Sequence, residues 1–332
     1  KEMKFLIAGL GSIGRRHFRN LRALGQEDLI LYRTHHATLP DAELGDLPTF
    51  TELSLALAEK PDGVIVANPT ALHLEVAIAA AKAGAALLIE KPVSDSLAGL
   101  GELQSALKLS GKPALVGFHF RFHPVLNQVK TLIGSGQLGK PLSAHAHWGE
   151  YLPGWHPWED YRRSYAARAD LGGGVVNTLS HPLDYLRWLL GEVESVSAWT
   201  GNLSDLELDV EDHADILLRF ACGEAASVHL DYYQRPPSHT LEITCEEGRI
   251  CWDNATGEAR VFHAQSDAAE LLVPPAGFER NQMFLDEMFT FVRLCRGEAL
   301  PHCTLEDGIR AQELVLAIKQ SAAQNGCMVR LA

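Results

Sequence analysis

The stretch KFLIAGLGSIG, residues 4–14, constrains the fold of this chain more than any other part of its sequence. A short apolar run ends in Gly9, and Gly11 and Gly14 follow at the spacing GxGxxG. In a strand–turn–helix setting, the first glycine permits a tight turn, the second lets the backbone approach a pyrophosphate, and the third lets the helix pack closely on the strand. The N-terminus of that helix attracts the anion. We therefore predict that a dinucleotide contacts Gly9, Gly11, Ser12, Ile13 and Gly14.

The rest of the first third repeats the alternation of strand and helix. Fully apolar runs occur in DLILYR, GVIVANP, AALLIEKP and PALVGF, and amphipathic segments separate them. Strands that are apolar on both faces and alternate with helices indicate a parallel sheet covered by helices. The sequence therefore predicts an α/β fold whose residues 1–119 form an N-terminal Rossmann domain with a doubly wound parallel sheet.

The pattern changes after about Gly117. Runs with a period of two dominate from Ser143 onward, for example ADILLRF and AASVHLD on either side of Cys222-Gly223, and Glu247-Gly248 is a typical hairpin signal. These runs predict a C-terminal α+β domain with a mainly antiparallel sheet, over residues 120–332, for substrate binding and oligomerisation. Its last helix, at about 304–324, starts with the capping-box spacing TLED and can pack back on the first domain.

Length, charge and cysteine content exclude several classes of protein. A chain of 332 residues favours two domains, and its net charge of −13 comes from interspersed acidic and basic residues. This pattern argues against a nucleic-acid partner or a membrane surface, and no apolar run has the length of a membrane span. The six cysteines are scattered without a CxxC pair. We therefore expect unpaired thiols in a reducing cytoplasm and no metal site.

The end of the second strand indicates which dinucleotide is bound. An acidic residue about twenty positions beyond the glycines usually holds the ribose hydroxyls of NAD. Here the segment reads LYRTHH and contains no Asp or Glu. Arg33, Thr34, His35 and His36 offer donors to a 2′-phosphate, which favours NADP over NAD. In the alternative interpretation, Arg33 stacks on the adenine or faces solvent.

The stretch GGGVVNTLSHPLDYLRWLLG, residues 172–191, places a His-Pro pair behind three glycines and before an apolar helix. His181 can cap that helix, because proline is tolerated in a first turn, or it can move protons as an imidazole near neutral pH. Asp184 can complement the positive end of the helix dipole or take part in a site. This stretch by itself leaves both alternatives open.

Four motifs occur in order along the chain: GLGSIG, NPTALH at 68–73, EKP at 90–92 and the stretch GGGVVNTLSH. In a dinucleotide domain followed by an antiparallel domain, they resemble the Gfo/Idh/MocA oxidoreductases, the family of glucose–fructose oxidoreductase and inositol dehydrogenase. The resemblance covers nearly the whole chain. It implies an NAD(P)-dependent dehydrogenase that acts on CH–OH groups, with the nicotinamide across the ends of the parallel strands and against the sheet of the second domain.

The resemblance also implies roles for individual residues. Lys91 is expected beside the nicotinamide and the substrate hydroxyl, where an ammonium stabilises alkoxide character, and His181 matches the catalytic histidine of the family. The family commonly has Asp four residues before that histidine, whereas this chain has Asn177, which can orient a substrate but cannot take a proton. The expected catalytic residues are Lys91, Asn177, His181 and Asp184, and the further cofactor contacts are Asn68, Pro69, His73, Glu90 and Lys91.

Two segments are candidates for substrate recognition. By the resemblance, GFHFRFHP at 117–124 lies near cofactor and substrate, and its arginine can bind a carboxylate or brace the interdomain hinge. In GEYLPGWHPWEDYRRSYAAR at 149–168, aromatic rings can stack on sugars and arginines can grip an anion. The alternative is an oligomer contact or a local aromatic core. Similar loops in related sequences indicate a sugar-like substrate, acidic or nucleotide-linked. The residues expected at the substrate are Arg121, Trp155, Tyr161, Arg162 and Asn177.

Two other functions compete with a simple dehydrogenase. An enzyme of this type can retain its cofactor and use transient oxidation for epimerisation or elimination. A non-catalytic dinucleotide-binding sensor would explain Asn177, but it need not keep Lys91 and His181. We therefore expect a hydride-transferring enzyme that binds a small sugar-like molecule and forms a homodimer or homotetramer.

Overall fold

The computed structural model describes residues 3–34, 39 and 41–331. The chain divides into two compact units. The first comprises the residues up to His119 together with Glu279–Gln312, and the second comprises Phe120–Phe278 together with the residues from Glu313 onward.

The strands are β1 (Phe5–Ala8), β2 (Leu29–Tyr32), β3 (Thr49–Phe50), β4 (Gly63–Val66), β5 (Ala86–Ile89), β6 (Ala114–Val116), β7 (Pro141–Tyr151), β8 (Val193–Gly201), β9 (His213–Phe220), β10 (Ala225–Asp231), β11 (Tyr233–Cys245), β12 (Gly248–Asp253), β13 (Glu258–His263), β14 (Glu270–Leu272) and β15 (Val329–Arg330). The helices are α1 (Ser12–Ala23), α2 (Leu53–Ala58), α3 (His73–Lys82), α4 (Leu100–Ser110), α5 (Pro124–Ser135), α6 (Val175–Thr178), α7 (His181–Leu190), α8 (Arg280–Cys295) and α9 (Leu305–Ala323).

The sheet of the first unit is parallel and has the order β3-β2-β1-β4-β5-β6. Every residue of β1, β4 and β5 is buried. Alternate residues of β1 face two separate apolar cores: Phe5 and Ile7 pack with Phe291 of α8, and Leu6 and Ala8 belong to the core that contains α3 and α4. These cores on both faces confirm the doubly wound parallel sheet.

The strand order reverses beside β1, because β2 and β3 lie on one side of it and β4, β5 and β6 lie on the other. Ligands of doubly wound sheets bind outside the carboxyl ends of the strands at such a switch point. Gly9 follows β1 at this edge, Asn68 follows β4 and Lys91 follows β5. The fold therefore brings the predicted cofactor motifs of the first unit to one edge of its sheet.

The sheet of the second unit has the order β14-β13-β12-β11-β7-β10-β9-β8-β15. Neighbouring strands pair antiparallel except β7 and β10, which are parallel. The predicted hairpins around Cys222-Gly223 and Glu247-Gly248 connect β9 to β10 and β11 to β12. The mainly antiparallel sheet predicted for the C-terminal part is thus confirmed.

The predicted capping box begins α9. The Thr304 N–H donates to the Asp307 carboxylate at 2.9 Å, and the Asp307 N–H donates to the Thr304 hydroxyl at 3.1 Å. The division between the two units falls within this helix, after Gln312. Over the part of the chain that the structure describes, none of the helices combines the length and the hydropathy needed to cross a membrane.

Candidate functional site

The glycine loop before α1 has the shape that a dinucleotide requires. Gly9 has a φ of +92°, and a Cβ there would lie 2.5 Å from the Asn68 backbone nitrogen. A Cβ on Gly14 would overlap the Gly9 carbonyl oxygen. The protein's own backbone therefore requires these two glycines. At Gly11, by contrast, no heavy atom of the described residues other than Gly11 and its two chain neighbours lies within 4 Å of the Cβ position, so the space there is open to a ligand.

The N-terminus of α1 is suited to an anion. Gly11 is the N-cap residue, no side chain caps the helix, and its first turn contains no acidic residue. Gly11 and Ser12 are exposed, and Ile13 is half-buried. Backbone N–H groups at an uncapped helix start, together with the helix dipole, favour a negative charge. The loop and helix start therefore fit a pyrophosphate.

Asn68, Pro69 and His73 form a braced turn after β4. The Asn68 side-chain amide donates to the Leu72 carbonyl at 3.0 Å, and Pro69 is the N-cap of a 3-10 turn. The buried His73 ring has one nitrogen 2.8 Å from the Asn68 carbonyl and the other 2.9 Å from the Pro92 carbonyl. Burial lowers the pKa of His73. The imidazole thus ties together the backbone that follows β4 and β5, and it positions Asn68.

Glu90 turns its carboxylate into the first unit. One oxygen lies 2.6 Å from His17 Nε2, and the other accepts the Lys91 N–H at 3.3 Å. Glu287 of α8 belongs to the same cluster and is fully buried, and its carboxyl oxygens have no hydrogen-bond partner among the described residues. Burial, and then the charge of Glu90, raise the pKa of Glu287 well above its usual range. Glu90 therefore contacts both His17 and the Lys91 backbone and adjoins a buried acid whose pKa is raised.

Lys91 is half-buried at the carboxyl edge of the sheet. His119 follows β6 at that edge, and its ring stacks on Phe284 with the centroids 4.0 Å apart. Burial lowers the pKa of His119 well below its usual range, and the positive charges of Arg280 and Lys91 lower it further. The edge therefore holds a neutral imidazole under the influence of the Lys91 ammonium, a feature to which the sequence assigned no role.

Arg33 is held within the first unit. It is buried, and its Nη1 donates to Asp41 Oδ1 at 2.8 Å. This hydrogen bond is the main cause that lowers the pKa of the Asp41 carboxyl. Arg33 therefore has a carboxylate partner although the segment LYRTHH contains none. That partner, Asp41, comes eight residues later in the sequence. Thr34 is exposed, and His35 and His36 lie outside the described residues.

In the second unit, His181 is the first residue of α7 and is 1% exposed. Ser180 is the N-cap residue and its side chain makes no capping hydrogen bond, so His181 occupies the first helical position and not the cap position. Its ring lies edge-on to Phe120, with the centroids 4.9 Å apart, and 5.7 Å from the Trp148 ring. Aromatic packing therefore holds the imidazole in place.

The aromatic group around Phe120 was not predicted. His239 stacks on Trp148 with the centroids 4.3 Å apart, and the Tyr185 hydroxyl lies 3.3 Å from His239 Nε2. Phe120 contacts the rings of His239, Tyr185 and Trp252 edge-on. Burial raises the pKa of Tyr185, so its hydroxyl keeps its proton. The period-two pattern of β7, β11 and β12 is the sequence signal that places three of these rings on the covered face of the sheet.

Asn177 lies in α6, a short helix separate from α7, so it does not share a helix with His181. It is buried, and its amide donates to the Gly172 carbonyl at 2.9 Å and to the Gly173 carbonyl at 3.3 Å. The amide group therefore holds the glycine turn in shape. The expected substrate contact stays a prediction for the side-chain oxygen, which has no hydrogen-bond partner among the described residues.

The three glycines before α6 are explained by close packing. Gly172 has a φ of +79° and ends a 3-10 turn. A Cβ on Gly173 would overlap backbone carbonyls of residues 165–168, and a Cβ on Gly174, whose φ is +103°, would overlap the Glu211 carboxylate. This turn is thus filled by the protein's own atoms.

Arg121 and Asp184 form a buried, bidentate ion pair. Arg121 Nε donates to Asp184 Oδ2 at 2.9 Å and Nη2 donates to Oδ1 at 2.8 Å, and the two side chains are 4% and 2% exposed. Asp184 lies in the first turn of α7, where a carboxylate also complements the helix dipole. The guanidinium fork predicted to bind a substrate carboxylate or brace a hinge thus grips a carboxylate of the protein itself. Both residues position α7.

The aromatic loop of residues 149–168 is anchored by two of the predicted substrate residues. The Tyr161 hydroxyl donates to the Leu206 carbonyl at 3.0 Å, and Arg162 Nη2 pairs with Glu207 at 3.1 Å. The Arg162 guanidinium also lies over the Tyr161 ring, 4.7 Å from its centroid. These contacts tie the loop to the segment before β9.

The two indoles of that loop differ in their surroundings. Trp155 is half-buried and lies edge-on to Tyr232, with the centroids 5.7 Å apart. Trp158 is 63% exposed. Trp155 therefore fits the alternative of a local aromatic core, whereas Trp158, one of the loop rings predicted to stack on sugars, offers an accessible aromatic face.

Two profiles of one protein family match this chain. The profile described as "Oxidoreductase family, NAD-binding Rossmann fold" matches residues 3–118, and the profile of the GFO/IDH/MocA C-terminal domain matches residues 126–251. The matches follow one another along the chain, and the first contains the glycine loop, Asn68 and Lys91, while the second contains Asn177 and His181.

Named relatives and solved structures agree with these profiles. The chain is 29% identical over 339 residues to myo-inositol 2-dehydrogenase of Thermotoga maritima, with 96% of each chain covered. It is 33% identical over 288 residues to the uncharacterized oxidoreductase sll0816 of Synechocystis, covering 78% of this chain and 76% of the relative. Its fold matches the WlbA dehydrogenase of Bordetella pertussis in complex with NADH and UDP-GlcNAcA, with a TM-score of 0.82, 23% identity, and coverage of 100% and 99%.

Proposed function

The chain belongs to the Gfo/Idh/MocA family of oxidoreductases, and on this premise we propose that it transfers a hydride between a secondary alcohol of a sugar-like substrate and a nicotinamide dinucleotide. One observation carries the proposal: among the described residues, the cradle at the carboxyl edge of the parallel sheet is open above Gly11, and this N-cap residue supplies no capping side chain to the helix that follows. A turn that served only packing would be filled by the protein's own groups.

The residues of the chain supply the proton chemistry of this reaction. When bound, the nicotinamide supplies the hydride acceptor for oxidation and the donor for reduction. We assign to His181 the uptake of the hydroxyl proton, because an imidazole is suited to that exchange near neutral pH. The Lys91 ammonium stabilises negative charge on the same oxygen. Asn177 and Asp184 are positioning residues in this proposal, because the amide group of one and the carboxylate of the other are engaged within the protein.

We propose a polyol or sugar substrate, acidic or nucleotide-linked. The relative from Thermotoga is named for myo-inositol, and the WlbA structure contains UDP-GlcNAcA. Trp158 offers the exposed ring that stacking on a sugar face requires. The loop arginines have acidic partners in the protein, as Arg162 has in Glu207, so an anionic substrate has to compete with those partners.

We propose NADP as the preferred dinucleotide, with Asp41 as the internal competitor for Arg33. A 2′-phosphate is doubly charged near neutral pH and matches the guanidinium better than one carboxylate does. Calorimetric titration of the protein with NAD⁺ and NADP⁺ tests this preference. Tighter binding of NADP⁺ supports the phosphate contact, whereas tighter binding of NAD⁺ removes Arg33 from the cofactor site and leaves the hydride chemistry in place.

Compartment and assembly follow from the sequence arguments. We propose a reducing, cytoplasmic environment on the sequence argument alone, since the six cysteines are scattered without a CxxC pair. The homodimer or homotetramer stays a prediction, for which size-exclusion chromatography with light scattering is the direct measurement.

The substitution His181→Ala tests the proposed chemistry. After polyols, sugars and sugar acids have been screened for dinucleotide reduction, we expect the variant to lose about 10²- to 10⁴-fold in kcat, the usual contribution of a general acid–base. Dinucleotide affinity should stay within about twofold, because His181 lies in the second unit and the glycine cradle in the first.

The matched control is His145→Gln, which changes an exposed histidine on β7. It should keep both kcat and dinucleotide affinity. Unchanged turnover in His181→Ala would remove this residue from the chemistry. Failure of the unmodified protein to bind either dinucleotide would remove the dehydrogenase function itself.

A further inference from the structure

A second cluster of chemically active side chains lies on the nine-stranded sheet, apart from the groups described above. Strand register places Asp215 of β9 opposite His229 of β10, and His213 opposite Asp231. Residues two apart on a strand point to the same face. The described residues His213, Asp215 and His229 each offer a ligand atom, and these atoms all lie within 4.8 Å of one another.

The contacts in this cluster converge on one carboxylate. His213 Nε2 lies 2.9 Å from Asp215 Oδ2, and His229 Nδ1 lies 2.8 Å from Asp215 Oδ1. The two imidazole planes meet at 76°, with the ring centroids 5.0 Å apart. Because the nitrogen lone pairs lie in the ring planes, two steeply inclined rings can direct them at one point beside the carboxylate.

The second ring nitrogen of each histidine also has a partner. His213 Nδ1 lies 2.7 Å from the Tyr233 hydroxyl, and His229 Nε2 lies 3.1 Å from Asp231 Oδ2. The other oxygen of Asp231 accepts the N–H groups of Tyr233 and Gln234 at 2.9 and 2.7 Å. Metal-binding histidines usually have such a partner on the second ring nitrogen, which fixes the tautomer and aims the first nitrogen at the ion.

The contacts need more protons than two neutral imidazoles carry. An ionised carboxylate only accepts hydrogen bonds, so each of the three nitrogen–carboxylate contacts requires a proton on nitrogen, whereas two neutral rings carry two. A proton on both nitrogens of His229 satisfies all three contacts, and a divalent cation beside Asp215 satisfies them equally by replacing the protons on His213 Nε2 and His229 Nδ1. His229 then keeps its proton on Nε2, which donates to Asp231, and His213 keeps its proton on Nδ1, which faces the Tyr233 hydroxyl.

A neighbouring set, His147, His229 and Asp231, is less suited to an ion. The rings of His147 and His229 are nearly parallel, at 15° and with the centroids 4.7 Å apart, so their in-plane lone pairs do not converge. His147 Nε2 also lies 2.6 Å from the side-chain oxygen of Gln234. The geometry therefore favours the set around Asp215.

We propose that His213, Asp215 and His229 form a binding site for a divalent transition-metal ion of the Zn²⁺ type. Two imidazoles and one carboxylate are a common ligand set for Zn²⁺ in proteins, with at least one further position for water. The side chains of Asp215 and His229 are 59% and 29% exposed. Both line a surface cavity with a volume of about 630 Å³. The proposal departs from the expectation of no metal, which considered only cysteine spacing.

Equilibrium dialysis with Zn²⁺ tests this site on the full chain after removal of metals with a chelator. We expect one Zn²⁺ per chain, with at least tenfold weaker binding in Asp215→Asn and in His213→Gln. Tyr233→Phe removes a group behind a ligand and should weaken binding by about tenfold, the lower end of the range for such partners. His145→Gln lies on the same face outside the cluster, pairing with Ser227, and should leave the affinity unchanged.

Two further measurements keep the test decisive. Co²⁺ in place of Zn²⁺ should give visible d–d absorption in the unmodified protein that disappears in Asp215→Asn, even if that variant is less stable. His147→Gln should keep its Zn²⁺ affinity; loss of binding there with retention in Asp215→Asn would overturn the ligand set. Absence of stoichiometric binding up to about 1 mM Zn²⁺, equivalent to about 4 kcal/mol, would overturn the site. Neither result depends on binding of the dinucleotide in the first unit.

Discussion

A glycine-rich turn precedes α1 directly and another precedes α7 by way of the short helix α6, and the N-terminal ends of α1 and α7 serve opposite purposes. The helix α1 follows GLGSIG, has no side-chain cap and no acid in its first turn, and leaves the space above Gly11 open. The first turn of α7 contains Asp184, held by Arg121. The glycines upstream of α7 pack against the protein's own carbonyls and the Glu211 carboxylate.

The difference shows how one residue type supports two functions. A helix N-terminus favours negative charge, which a ligand or a side chain of the protein can provide. Where the protein supplies its own carboxylate, the turn is part of the core, and its substitution should cost stability. Where the end is left open, substitution should cost ligand affinity. The following predictions separate these two costs.

The largest effect is expected when Asp184, in the first turn of α7, loses its partner Arg121. Arg121→Met should lower the free energy of unfolding by about 3–5 kcal/mol, because it removes the bidentate partner of a buried carboxylate. Chemical denaturation followed by circular dichroism measures the loss. Arg162→Met removes an exposed ion pair with Glu207 and should change stability by less than about 1 kcal/mol. Equal losses in the two variants would contradict a structural role for the buried pair.

The second prediction concerns the glycine turn itself. Gly174→Ala should destabilise the protein by about 1–3 kcal/mol, since alanine is strained at a φ of +103° and its Cβ would meet Glu211. In Gly101→Ala, within α4, the new Cβ has no described atom within 4 Å, and stability should stay level or rise by about 0.4–1 kcal/mol. Thermal melting of both variants, in the absence of ligand, is the measurement. A stable Gly174→Ala protein would show that the turn can relax.

In the turn before α1, a substitution should lower ligand affinity and leave the stability of the protein nearly unchanged. Gly11→Ala places its Cβ in empty space, so the free energy of unfolding should change by less than about 1 kcal/mol. Dinucleotide affinity should fall by about tenfold or more, equivalent to about 1.4 kcal/mol, because the methyl group occupies the path of the pyrophosphate. Calorimetric titration measures the affinity. Unaltered affinity would mean that the ligand does not approach this glycine.

The smallest effect is a pH dependence of the free energy of unfolding that arises from the buried acid Glu287. The pKa of Glu287 is raised well above its usual range, so the folded state keeps a proton that the unfolded state releases above about pH 4.3. The contribution of this group to the free energy of unfolding is fully present below that pH. It is lost as the pH rises toward the folded-state pKa. Within that window the slope is about −1.4 kcal/mol per pH unit.

Glu287→Gln should remove this slope while preserving shape, because a neutral amide replaces a neutral acid. Urea denaturation between about pH 5 and 8, compared with the unmodified protein and with a variant of an exposed carboxylate, Glu102→Gln, measures the difference. Identical pH profiles for Glu287→Gln and the unmodified protein would show that Glu287 is ionised in the folded state.

The elements of the fold were readable because they depend on local pattern. Apolar runs predicted the parallel strands, the period of two predicted the antiparallel hairpins, and Thr304 with Asp307 predicted the start of α9. Gly9, Gly11 and Gly14 were predicted as a cradle because a turn between a strand and a helix restricts its backbone within a few residues. Such signals do not depend on distant parts of the chain.

The partners of individual side chains were decided by the tertiary structure. Neither Arg121 nor Asp184 carries a sign that the two will pair across 63 residues, and nothing local marks Glu287 as the buried neighbour of Glu90. Asn177 and His181 are four positions apart, but a break between α6 and α7 separates them. The three ligand candidates on the open sheet face come together through strand register. Local pattern follows from covalent geometry and hydrophobic periodicity, whereas charge pairing and burial depend on which distant segments the fold brings into contact.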